Sequence, residues 1–182
     1  MSESNVTADR EQAQRVVGAW FETHVDTIHR YAARRLGEHD AWDVVAETFR
    51  IALERFDAYD PQRGHERAWL YGIASNVIRR HTRTEARRLR TRARALATQS
   101  DTPIDPLIDT DHRLDAITDA EHIAIAVAAL NSDDRDLLFL IAWERLSSTE
   151  VGEVLNIPAA TVRSRLRRIR HQIALPKGDS GE

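Results

Sequence analysis

The side chains best placed to do chemistry in this 182-residue chain are arginines near its end. Positions 159–171 read Ala-Ala-Thr-Val-Arg-Ser-Arg-Leu-Arg-Arg-Ile-Arg-His, with no acidic residue. On a helix at about 100° per residue, Val162, Leu166, Ile169 and Ile173 fall within about 60° of one another and form a core stripe. Ser164, Arg167, Arg168 and His171 fall on the opposite side, and Arg163, Arg165 and Arg170 lie on the flanks. A narrow apolar seam backed by a wide cationic face suits the DNA major groove. There arginine meets guanine edges bidentately and flanking arginines meet phosphates. The plainer reading is a solvated helix in an arginine-biased chain, whose one lysine is Lys177. A solvated helix normally mixes in glutamate, so its absence favours nucleic acid.

Two further faces carry chemistry. Gly72, Asn76, Arg79 and Arg83 share a helical stripe bordered by Trp69 and Arg80. Glycine admits a strand closely, asparagine can donate to and accept from a base edge, arginine holds phosphate, and tryptophan offers a stacking surface. Trp69 reads equally as a core anchor between helices. Asp43, Glu47, Arg50 and Glu54 lie within about 60° of each other on another helix. Spacing alone reads them as a solvated face with Glu47–Arg50 and Arg50–Glu54 ion pairs, and the functional alternative is a charged docking ridge.

The chain has no cysteine, hence no disulfide, thiolate metal site or thiol nucleophile. Its eight histidines are scattered, with no pair at metal-ligand spacing on one helix face. No cofactor or metal is expected, and an enzyme such as a nuclease is disfavoured. Net charge is −3, so the positive charge is local. No apolar run approaches the roughly 20 residues that cross a bilayer, and the polar start has no signal core, which predicts a cytoplasmic protein with no membrane insertion.

Helices must position these faces, because no window alternates with period two. Residues 1–10 read as a disordered tail. Val16, Val17, Trp20, Phe21, Val25, Ile28, Tyr31, Ala32 and Leu36 recur at helical spacing over 11–36, and Gly37 ends the run. A second helix is expected from Asp40, as N-cap, to about Phe56, with Trp42, Val45, Phe49, Ala52, Leu53 and Phe56 on its apolar face. Turn residues make 57–66 a loop carrying Tyr59, Arg63 and His65, groups able to stack on bases or contact phosphates. A third helix follows from Arg67, burying Leu70, Ile73, Ala74 and Val77. Residues 83–94 are strongly basic and read as an electrostatic contact to a phosphate backbone or as a flexible basic arm. The acidic, proline-bearing stretch within 96–116 reads as a flexible linker and domain boundary. Beyond it, a helix over 118–130 should bury Ile123, Val127 and Leu130. Ser132 is expected to cap the next, with Leu137, Leu138, Leu140, Ile141 and Trp143 inward. Ser147 and Glu150 fit a capping box, and Asn156 with Pro158 ends that short helix before the arginine helix begins. The fold class is all-α: two small helical domains, 11–95 and 117–175, with a tail over 176–182.

Two separate signatures then match in order. Asp43-Val-Val-Ala-Glu-Thr-Phe49 followed by Ala68-Trp-Leu-Tyr-Gly-Ile-Ala-Ser-Asn76 resembles sigma region 2. Thr161-Val-Arg-Ser-Arg-Leu-Arg-Arg168, after Ser-Ser-Thr-Glu-Val-Gly-Glu-Val-Leu, resembles region 4. The chain is identified as resembling a bacterial RNA polymerase sigma factor of the sigma-70 superfamily, extracytoplasmic-function (ECF) class, across roughly 15–95 and 116–174. The resemblance implies a promoter-directing factor whose partners are core RNA polymerase, promoter DNA and an anti-sigma protein. It implies that Asp43, Glu47, Arg50 and Glu54 dock on polymerase. Asn76, with the 57–66 loop and Trp69, would capture a flipped base of the −10 element while Arg79, Arg80 and Arg83 hold the backbone. Arg163, Ser164, Arg167, Arg168 and His171 would face the −35 element, with Thr161 near a phosphate. Ala46 and Trp42 depart from the family's usual glutamine and acidic residue, and Val-Ile-Arg-Arg-His-Thr-Arg after Asn76 departs from its arginine-aspartate pattern. The rival reading is a helix-turn-helix transcriptional regulator acting without replacing the housekeeping sigma factor.

Overall fold

A computed structural model describes residues 3–62, 64–97 and 119–174, and among these it contains only helices and turns. Helix α1 runs Glu3–Leu36, α2 Glu38–Glu54 and α3 Glu66–Ala97; a short 3-10 turn, Phe56–Ala58, follows α2. Then come α4 (Asp119–Ala129), α5 (Ser132–Ala142), α6 (Ser148–Leu155) and α7 (Ala159–Ala174). Most of the 96–116 linker and all of the 176–182 tail lie outside the described residues.

The first three helices form one bundle. Ile28, Tyr31 and Ala32 of α1, Val44, Val45 and Ala52 of α2, and Leu70, Tyr71, Ala74 and Ile78 of α3 are buried together. Each large apolar side chain withdrawn from water contributes about 1.5–3 kcal/mol, which holds helices too weak to persist alone. Tyr31 and Tyr71 meet edge to face at 5.2 Å, and the Tyr31 hydroxyl lies 2.9 Å from Ser75 Oγ. Burial pushes the Tyr31 phenol up to about 12, so this contact stays neutral at any ordinary pH. Leu130, Leu137, Leu140, Leu146, Val151, Val162 and Ile169 form the core of the second bundle, α4–α7.

Several expectations are corrected. Helix α1 begins at Glu3, within the stretch read as a disordered tail. Gly37, at φ +90°, caps α2 instead of Asp40, because the reversal between α1 and α2 needs a left-handed residue. Asn131, not Ser132, caps α5: its side chain accepts from the Asp134 N–H at 2.8 Å. The basic run after Arg83 simply continues α3 as far as Ala97. Ile123, Trp42 and Trp143 are exposed, as is Leu53 at the margin; helical period alone assigned them inward, but each lies off the side its neighbours cover. Trp42 packs at a tilt against His29, ring centres 4.3 Å apart, and Trp143 stacks on Phe139 at 4.2 Å.

Candidate nucleic-acid interface

The capping box forms as the sequence predicts. The Glu150 N–H donates to Ser147 Oγ at 3.2 Å, and the Ser147 N–H donates to Glu150 Oε2 at 2.7 Å. Those bonds hold the Glu150 carboxyl below its usual range. Asn156 adopts the left-handed conformation (φ 53°, ψ 48°), and the Ile157 N–H closes back on the Gly152 carbonyl at 2.9 Å. Gly152 is a requirement that sequence reading missed. A Cβ there would lie 2.7 Å from the Ile157 carbonyl oxygen, so the chain can double back only over a residue with no side chain. Its signal was a glycine midway through a short helix.

Helix α7 then leaves this turn with Val162 and Ile169 fully buried and Leu166 and Ile173 half-buried. Arg163, Ser164, Arg167, Arg170 and His171 are exposed. Among the described residues nothing pairs with Arg163, Arg167 or His171. The Ser164 hydroxyl donates back to the Thr161 carbonyl at 3.0 Å, and Thr161 is half-buried at the start of the helix. Arg168 is not free: its Nη2 sits 2.8 Å from Asp134 Oδ2 of α5, and Arg165 lies 4.0 Å from the same carboxylate. The open cationic surface is therefore narrower than the helical wheel suggests.

On α3, Asn76, Arg80 and Arg83 are exposed and share a groove with Arg79. Arg79 is already engaged, its Nε 2.7 Å from Asp136 Oδ2 and its Nη2 3.3 Å from Asp133 Oδ1. Arg80 reaches across to α2, with Nη2 2.6 Å from Glu47 Oε1. Trp69 takes the core-anchor role: its ring packs 5.9 Å from Trp20 and 5.3 Å from Tyr59, and Trp20 also meets Phe56 at 5.6 Å. This cluster pins Phe56 and Tyr59, beyond the end of α2, against α1 and α3. Tyr59 serves it too, its ring 4.9 Å from Trp20 and its hydroxyl donating to the Gly64 carbonyl at 3.4 Å. His65 is exposed, and Arg63 lies outside the described residues.

The α2 ridge carries the ion pairs that spacing predicts. Arg50 Nε and Nη2 lie 2.8 and 2.9 Å from the two Glu47 oxygens, and Nη1 pairs with Glu54. Arg50 and Arg80 hold the Glu47 carboxyl down at about 2. Asp43 is exposed one turn away. Sequence reading treated this ridge and the Asn76 face as separate; the Arg80–Glu47 contact joins them.

Sequence reading also missed the carboxylates of the second bundle. Asp136 is fully buried, and Asp134 and Glu144 nearly so. The Glu144 carboxylate accepts from the Tyr71 hydroxyl at 2.5 Å and from Arg34 Nη1 at 3.1 Å, and burial together with this acceptor raises the Tyr71 phenol. The available signal was Asp136 directly against the Leu137–Leu140 apolar run, a place where an unpaired charge is too costly to stand.

The Sigma-70 region 2 family matches residues 20–88, and the Sigma-70, region 4 family matches 123–173. The chain is 33% identical over 169 residues to the ECF RNA polymerase sigma factor SigE of Mycolicibacterium smegmatis, covering 88% of this chain and 62% of that one. It is 30% identical over 153 residues to the ECF RNA polymerase sigma factor SigW of Bacillus subtilis, covering 81% of each. The solved structure of CnrH in complex with the cytosolic domain of CnrY shares the fold, with a TM-score of 0.58 at 24% identity over 91% of this chain and 92% of that one. No helix among the described residues is long and apolar enough to cross a membrane. With both sigma regions matched in order and the Bacillus relative aligned over most of its length, the chain belongs to the ECF class of the sigma-70 family of RNA polymerase sigma factors.

Proposed function

We propose that this chain binds core RNA polymerase and directs it to specific promoters, acting by binding alone with no chemistry of its own. Helix α7 reads the −35 duplex: Arg163 and Arg167 meet base edges and phosphate, and His171 lies further along the same face. Arg168 is the secondary contact, because Asp134 must release it first. Thr161 and Ser164 sit where the helix enters the groove and approach a phosphate. The α3 face around Asn76 captures an unstacked base of the −10 element, with Arg80 and Arg83 on the backbone and Arg79 joining them once freed from Asp136. Extruding a base costs a few kcal/mol, which the capturing face offsets while selecting sequence. Asp43, Glu47, Arg50 and Glu54 dock on polymerase. Neither DNA contact needs high affinity alone, since polymerase makes the second one intramolecular. An anti-sigma protein is the further partner of this reading, and the cytoplasm is its compartment.

The observation that carries the proposal is the unpaired Arg163 and Arg167 face on a helix whose opposite side is buried. Run-off transcription with core polymerase tests it: the protein should confer initiation at discrete start sites that core polymerase alone does not use. Failure to confer it, with specific binding of duplex by the isolated protein, supports the helix-turn-helix regulator instead. Asn76→Ala should impair formation of the open complex while leaving polymerase binding intact, as read by permanganate footprinting beside a pull-down. Loss of polymerase binding would refute the base-capture role.

A further inference from the structure

The two bundles pack face to face, and buried charged groups cross the contact beside apolar ones. Asp136, fully buried, lies between Arg35 of α1 and Arg79 of α3, pairing with both. Glu144, just past α5, takes the Tyr71 hydroxyl and Arg34, while Arg67 Nη2 donates to its carbonyl at 2.6 Å. The Arg35 guanidinium also sits 5.0 Å from the Phe139 ring and that of Arg34 5.2 Å from Trp143. Helix α6 follows onto α3: a Cβ added at Gly72 would lie 3.5 Å from the Val154 carbonyl oxygen, one turn before Asn76. Glu153 and Val154 wall the same cleft as Trp69, Gly72, Asn76 and Arg80.

The three aspartates at the start of α5 thus reach in two directions. Asp133 and Asp136 occupy Arg79 on one DNA-facing surface, and Asp134 occupies Arg168 on the other. A carboxylate on a guanidinium makes the same charge-assisted hydrogen bonds as a phosphate oxygen. We infer that α5 is an internal phosphate mimic: in the free protein Asp133 and Asp136 latch the two bundles together through Arg35 and Arg79, which keeps α6 against Gly72 beside Asn76, and promoter phosphates with polymerase displace them. The inference rests on the reading of α3 as the strand-capturing face. The chemistry of the latch makes it releasable. Removing paired charges from water costs nearly as much as their attraction returns, so the closed arrangement is held by complementarity with little surplus. A greasy interface of the same size would not respond to a polyanion.

Closure is measured without promoter or polymerase. Spin labels on Glu22→Cys of α1 and Gln172→Cys of α7, both exposed, are the sole thiols in a chain with no native cysteine. Pulsed electron resonance on the free protein should give one narrow distance distribution. Asp136→Asn with Glu144→Gln should broaden it and lengthen its mean. Asp133→Lys, at an exposed residue, should shift it the same way by less. Fluorescein-labelled oligo(dT) should bind the double variant about tenfold more tightly, the factor recovered when a competent state held to about a tenth becomes dominant. A broad distribution in the unsubstituted protein, or an unchanged one in the folded variants, overturns the latch. Loss of activity in run-off transcription overturns the promoter reading instead, and the distance measurement does not depend on it.

Discussion

The chain carries two arginine-rich faces, on α3 and on α7, that look alike in sequence and differ in availability. On α7, Arg163 and Arg167 stand clear of any partner among the described residues, over a stripe sealed by Val162 and Ile169. On α3, Arg79 is held by Asp133 and Asp136, Arg80 by Glu47, and Gly72 lies under α6. Equal charge therefore does not mean equal readiness. The α7 face is presented by a short, self-contained turn, so its geometry is local. The α3 face depends on what the rest of the molecule does with its arginines.

The strongest way to break that contrast is at Gly152. Replacing it with valine puts a side chain 2.7 Å from the Ile157 carbonyl, which should cost about 2–3 kcal/mol in urea unfolding of the second bundle. It should abolish −35 duplex binding while polymerase docking through α2 survives. Next comes Arg167→Ala, expected to cost about 1–3 kcal/mol at one base pair and to relax specificity there. Arg168→Ala should weaken all duplexes evenly and by less, because Asp134 already holds that guanidinium; competition against single-base variants of the −35 duplex separates the two. Ser147→Ala removes one half of the capping box and should lower stability by about 1 kcal/mol, visible as a lower Tm with no change in which sequences bind. The smallest effect sharpens the α3 side. Glu47 has its carboxyl held at about 2 against an ordinary 4.5. The folded value is depressed, so its contribution is present above pH 4.5 and lost as pH falls toward 2. Glu47→Gln should flatten the acid limb of thermal stability in that window and leave the profile at neutral pH unchanged in shape.

Some of this was legible in advance. The capping box, the αL asparagine, the α7 stripe and the α2 ion pairs are interactions between residues three to five apart, and helical geometry alone brings them together. Trp69 left two readings open because an aromatic on a helix flank can stack on a base or anchor a core. The Trp20, Phe56 and Tyr59 rings decided for the core. Ile123 and Trp143 went wrong for the opposite reason: apolar period marks a face, and what covers that face is not written in it.

By itself, then, the sequence determined the helices, the turn that presents α7 and the order of two arginine-rich segments, since these follow from near-neighbour spacing and backbone chemistry. The tertiary structure alone decided which arginines are free. Asp136 and Arg79 are 57 residues apart and Tyr71 and Glu144 are 73 apart. Contacts of that range are set by how whole bundles dock, and no local pattern in either segment announces its partner.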